Sequence, residues 1–196
     1  MTNIKSIPSV SVNYACDGSS TKANEMGMRA MQERAYEKRG EQYLLIKSPP
    51  ASGKSRALMF ITLDKLYNQG VKKAIIVVPE KTIGASFNNE PLTRYGFWAD
   101  WEVAPPWNLC NAPGDDNGGK VGAVKSFLDS TDRILICTHA TFRFAVDRFG
   151  VEAFDDCLIA VDEFHHVSAN SDNKLGTHLS QFIARDKVHI IAMTGS

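Results

Sequence analysis

Residues 43–66 read YLLIKSPPASGKSRALMFITLDKL. The first five, YLLIK, form a short apolar run of the kind that makes a buried strand. The Ser-Pro-Pro-Ala-Ser stretch that follows is turn punctuation. From Lys54 onward the pattern is helical and stops at Gly70. Gly53-Lys54-Ser55 is the tail of the phosphate-loop pattern G-x-x-x-x-G-K-[ST], but the place of its first glycine is taken by Ser48. The tripeptide alone is weak, and a lysine in the first turn of an ordinary helix is the competing reading. A strand before it and a helix after it supply the context that a phosphate loop needs. Backbone N–H groups at a helix start point at phosphate oxygens, and the helix dipole adds to the attraction. Gly53 lets the backbone come close, Lys54 brings a positive charge to the β- and γ-phosphates, and Ser55 offers a hydroxyl to Mg²⁺.

The rest of the chain has the same grammar. AIIVVP stops at Pro79, and ILICT (134–138), CLIAV (157–161) and HIIAMT (189–194) are further short apolar runs. Helical patterns lie at 25–40, 54–70, 81–90 and 173–187, the last with Leu175, Leu179, Phe182 and Ile183 on one face. Short apolar strands alternating with helices imply an α/β fold: a three-layer parallel sheet with helices on both faces. Residues 1–25 are polar and aperiodic, which suggests an arm, and 97–122 is rich in loop signals.

The chain has 196 residues, 43% hydrophobic and 22% charged, enough for one domain with a real core. Twenty-two basic residues balance 22 acidic ones. That balance argues against a binder that holds nucleic acid by bulk charge, while leaving local phosphate contacts open. The four cysteines are scattered, with no C-x-x-C pair, so a reducing cytoplasm is expected and no cysteine metal site. No apolar run approaches the ~18 residues of a membrane span, so no membrane partner is expected.

CLIAV runs directly into Asp162 and Glu163. Two carboxylates at the end of a buried strand are costly without a cation or solvent. In parallel sheets ligands bind at the carboxyl ends of strands, where the Ser48–Lys54 loop also lies. The two can meet across one magnesium-bound triphosphate, with Asp162 holding the ion through its water and Glu163 orienting or deprotonating the attacking water. A solvated acidic turn is the alternative. Thr194-Gly195-Ser196 ends a third strand at the same edge.

In this order the pieces resemble the first motor domain of a superfamily 2 helicase, of the DExH-box or restriction-enzyme type. PPASGKS resembles motif I, in which the family often carries a small residue in place of the first glycine. DEFH at 162–165 resembles motif II, TGS at 194–196 motif III, VVPEKTIGASF at 77–87 motif Ia, and ICTHATF at 136–142 the segment around motif Ib. MRAMQ at 28–32 resembles the entry segment whose glutamine reads adenine. The resemblance covers about residues 26–196 and implies a RecA-like phosphate-loop domain that uses ATP and Mg²⁺. It implies that Gln32 contacts adenine and that Pro50, Ala51, Ser52, Gly53, Lys54, Ser55 and Arg56 cradle the nucleotide. Ser55 and Asp162 would hold the metal, with Lys54, Asp162 and Glu163 catalytic. His165 would couple the site to Thr194 and Ser196. Pro79, Lys81, Thr82, Thr138 and His139 would line a nucleic-acid track, with DNA favoured over RNA because DEFH and TGS are unlike D-E-A-D and S-A-T.

A complete motor also needs a second domain with an arginine finger, and these 196 residues stop at motif III. The abrupt end reads as a piece of a longer protein, with a natural stub as the alternative, and the short arm after Met1 leaves no room for an upstream nuclease. The expectation is therefore half of a nucleic-acid-dependent ATPase, a DNA helicase or translocase, nearly inactive by itself. A non-motor interaction module switched by ATP is the rival from another class. A small-molecule kinase is disfavoured, since neither a basic lid nor an acceptor motif is legible.

Overall fold

The computed structural model describes residues 9–11, 23–111, 119–165 and 174–195. Among them, six strands form one all-parallel sheet: β1 (Ser9–Ser11), β2 (Tyr43–Lys47), β3 (Lys73–Val78), β4 (Ile134–Thr138), β5 (Cys157–Val161) and β6 (His189–Thr194). Their order across the sheet is β1-β2-β6-β5-β3-β4. Five α-helices among the described residues cover it: α1 (Ala30–Glu37), α2 (Lys54–Asn68), α3 (Gly119–Asp129), α4 (His139–Phe149) and α5 (Lys174–Arg185). The expected α/β class with both faces covered is what forms.

Alternation within each strand feeds two cores. In β3, Ala74, Ile76 and Val78 pack with Leu58, Phe60 and Ile61 of α2 and with α1. Ile75 and Val77 face the other way, toward Val124 and Phe127 of α3, Phe142 of α4 and Phe182 of α5. Every residue of β5 is buried, as its unbroken apolar run requires.

Register then fixes the functional edge. Lys47 pairs with Thr194, Val161 with Ala192, Val77 with Val161 and Val78 with Thr138. Ser48, Asp162, Pro79, His139 and Gly195 therefore follow their strands on one rim of the sheet.

The structure adds α3 and α4, which the sequence reading did not give as helices, and departs from that reading at other points. The arm contributes an edge strand, because Ser9–Ser11 pairs with Leu45–Lys47; three residues are too few for periodicity to register. The helix expected from residue 25 begins at Ala30, after a turn in which Asn24 Oδ1 accepts the N–H groups of Met26 and Met28. Lys81–Phe87 is 3-10 rather than α. Within the loop-rich 97–122 stretch, Trp101 is fully buried, and its Nε1 donates to Phe87 O at 2.9 Å.

At the opposite rim Lys65 is fully buried. Its Nζ donates to Glu41 O at 2.8 Å and lies 2.8 Å from Nδ1 of His189. Burial pushes the Lys65 ammonium down to about 8. Burial first, and then the Lys65 charge, depress His189 to about 4. Between pH 4 and the ordinary histidine value near 6.5, the unfolded chain takes up a proton at this residue that the folded chain refuses. Stability should therefore rise with pH across that window, by roughly 1–3 kcal/mol after allowance for the ring's partial exposure. Urea unfolding of wild type and His189→Gln from pH 4 to 7 checks this: the stability difference between them should change across the window and be flat above it.

Candidate nucleotide site

The phosphate loop is built without its first glycine because the turn does not need one there. Its left-handed residues are Ala51, with φ of 60°, and Gly53, with φ of 85°; Ser48 is not among the positive-φ residues. Ser48 is instead buried, and its Oγ donates to Ser52 Oγ at 2.6 Å. Its backbone N–H donates to Thr194 O at 3.1 Å, tying the loop to the end of β6. Restoring a glycine at position 48 should thus harm the protein. It strands the buried Ser52 hydroxyl and adds backbone freedom to the unfolded chain, a loss of about 1–2 kcal/mol that chemical denaturation of Ser48→Gly would measure.

Gly53 caps α2, whose first residues are Lys54 and Ser55. A cleft of about 510 Å³ opens over this helix start, lined by Ala51, Gly53, Lys54, Ser55 and Arg56, by Arg29 and Gln32, and by Asp162 and Glu163. That volume suits a nucleotide-sized ligand. Pro50 is exposed and Ser52 buried beneath the loop. Gln32 is buried against the loop: its Oε1 accepts the Arg29 N–H at 2.8 Å and its Nε2 donates to Gly53 O at 3.1 Å. An amide with one donor and one acceptor so engaged keeps a second donor and a second lone pair for a ligand.

Across the cleft, Lys54 Nζ meets Glu163 Oε1 at 3.1 Å. The other carboxylate oxygen, Oε2, lies 3.2 Å from His165 Nδ1, and the same nitrogen is 3.2 Å from Thr194 Oγ1. Asp162 is buried, and burial, with the Glu163 charge as the next cause, pushes its carboxyl up to about 6 against the pull of Lys54 and His165. A carboxylate so placed gains from a cation. Magnesium is usually held by one or two carboxylates together with phosphate oxygens and water. The Asp162 carboxylate and the Ser55 hydroxyl, which line the same cleft, are the residue types of that donor set. Gly195 closes this corner: a side chain there would stand 3.8 Å from Lys54 Nζ and 3.9 Å from Glu163 Oε2. Ser196 lies outside the described residues.

The expected track is less uniform. Lys81 and Thr82 are exposed on the 3-10 turn, and Pro79 is half-buried. Thr138 Oγ1 accepts the Thr141 N–H at 3.2 Å and so caps α4, while His139 turns its Nε2 to Asp162 O at 2.9 Å. The opposite side of the motif Ia turn, Ile83 and Ser86, together with Glu90, forms a wall of the cleft. Arg56 reaches that wall, its Nη2 at 3.0 Å from Glu90 Oε2. Sequence reading missed this wall and Arg29. The one available signal was the three-residue spacing of Arg29 and Gln32, which puts them on one side of a helix start.

Comparison with known proteins gives the family. A family model described as type III restriction enzyme, res subunit, matches residues 25–196. A relative from Bacillus subtilis (strain 168), "Putative ATP-dependent helicase YeeB", is 55% identical over 187 residues, 95% of this chain and 31% of the relative. The chain thus spans about a third of that protein's length. The resemblance to a restriction-enzyme-type superfamily 2 motor domain is supported by both matches, and the chain belongs to the type III restriction enzyme res subunit family.

Proposed function

We propose that this chain is the ATP-binding first motor domain of a nucleic-acid-dependent helicase or translocase. The observation that carries the reading is the Lys54–Glu163 contact at 3.1 Å, which joins the phosphate loop to the acidic turn across the cleft. Lys54 would exchange this carboxylate for the β- and γ-phosphates, leaving Glu163 to orient the attacking water and take its proton. Gln32 would offer its remaining amide capacity to adenine. Magnesium, held by Ser55 and Asp162, would neutralise charge that develops on the transferring phosphoryl group. His165 would report the state of Glu163 to Thr194 and onward to Ser196. Nucleic acid would run past Lys81 and Thr82, with Pro79, Thr138 and His139 shaping the floor, and contact would be mostly with the backbone. The DNA preference rests on the forms of motifs II and III, and a second motor domain would complete the engine.

The test compares two cations two residues apart on α2. Lys54→Ala should weaken Mg-ATP binding by about 10- to 100-fold, the worth of a charge-assisted contact. Arg56→Ala removes a half-exposed ion pair with Glu90 and should change affinity by less than about threefold. Calorimetric titration of both variants decides it, and equal affinities would overturn the phosphate-loop assignment.

A further inference from the structure

The peptide that joins Asp162 to Glu163 is held at both ends. Its N–H donates to Asp162 Oδ1 at 2.9 Å. Its carbonyl oxygen lies 2.9 Å from His139 Nε2. A carbonyl only accepts, so Nε2 carries the proton. This plane matters because Glu163 has φ of 52°, a left-handed conformation that a residue with a Cβ adopts only when its surroundings hold it there. Rotating the peptide is the direct way to relieve that conformation. It would take the N–H from the Asp162 carboxylate and swing Glu163 away from Lys54. Farther along, Phe164 N donates to Met193 O at 2.7 Å, and before the turn Asp162 N donates to Val77 O at 2.8 Å. The backbone is thus anchored on either side, and His139 holds the carbonyl between those anchors from a separate element. Its own place is fixed at the first residue of α4, directly after the Thr138 cap.

We propose that His139 is a positioning residue for the magnesium end of the site. By locking the Asp162–Glu163 peptide, it aims the Asp162 carboxylate at the ion and Glu163 at the water, and it sets the magnesium-dependent part of ATP affinity. The proposal rests on the motor reading above. It also moves His139 from the nucleic-acid track to the join between that track and the ATP site. Contacts made by Gln32, Lys54 and the loop N–H groups do not pass through His139, so affinity for metal-free ATP should not depend on it.

The experiment titrates ATP into the wild-type chain, His139→Ala and His139→Gln, once with magnesium and once with EDTA, and follows amide exchange at Glu163 and Phe164 in the nucleotide-free proteins. His139→Ala should weaken Mg-ATP binding by about tenfold or more, the usual cost of losing a group that orients a metal ligand, leave ATP binding in EDTA within about twofold, and speed exchange at the turn. His139→Gln, which keeps an N–H donor of similar reach, should recover most of both losses. Equal weakening with and without metal, no weakening with magnesium, or unchanged exchange at the turn would each overturn the proposal. A wild-type chain that does not bind Mg-ATP would instead overturn the motor reading itself, and the exchange measurement would still judge the clamp.

Discussion

Glu163→Gln should cut ATP turnover by about 10²–10⁴-fold in a polypeptide that joins this chain to a second motor domain, while leaving Mg-ATP affinity nearly intact. The size is that of a lost general base and corresponds to about 3–5 kcal/mol of barrier. The separation of binding from chemistry follows from the geometry. The amide oxygen of glutamine can still accept from Lys54, as Oε1 does at 3.1 Å, so the cleft keeps its shape. Asp162, the buried carboxylate expected to hold the ion, is untouched. What glutamine cannot do is take a proton from water. Steady-state turnover beside calorimetric affinity checks the pair of outcomes. Parallel losses in both would mean that Glu163 builds the site rather than acting in it.

Much of this was legible because apolar runs of four to six residues, cut by Pro79 or by Asp162, cannot be anything but buried strands once helices intervene. The rim residues Lys54, Asp162 and Glu163 were readable for the same reason, since each stands directly after a strand or opens the helix behind it. Other features depended on packing. In α4 the apolar spacing of Phe142, Ala145 and Val146 is helical, but β4 runs into it with no turn residue between Thr138 and His139, so the boundary was invisible. The glycines around α3 read as loop, and burial of Val121, Val124 and Phe127 overrides them. Side-chain direction was the least accessible. Residue type places His139 at a strand end, but only the register of β4, β3 and β5 turns its ring toward Asp162 rather than outward.

The second large effect concerns what this chain does unassisted. Motifs I and II would supply the phosphate cradle, the ion and the water. An arginine finger from a second motor domain supplies roughly 10³–10⁵ in turnover, or about 4–7 kcal/mol of barrier. The chain matches 31% of the length of its Bacillus subtilis relative. Strand separation also requires two domains closing and opening on one strand. Single-strand binding by this half should be weak, because its net charge is zero and counterion release has little to draw on. The direct measurement is steady-state ATP hydrolysis by residues 1–196, with and without single-stranded DNA and RNA, beside a polypeptide that joins them to a second motor domain. The expected result is Mg-ATP binding with turnover at least about 10³-fold below the joined form and no response to either nucleic acid. Strong nucleic-acid-stimulated turnover by residues 1–196, abolished by Glu163→Gln, would contradict the claim that this chain is half of a motor.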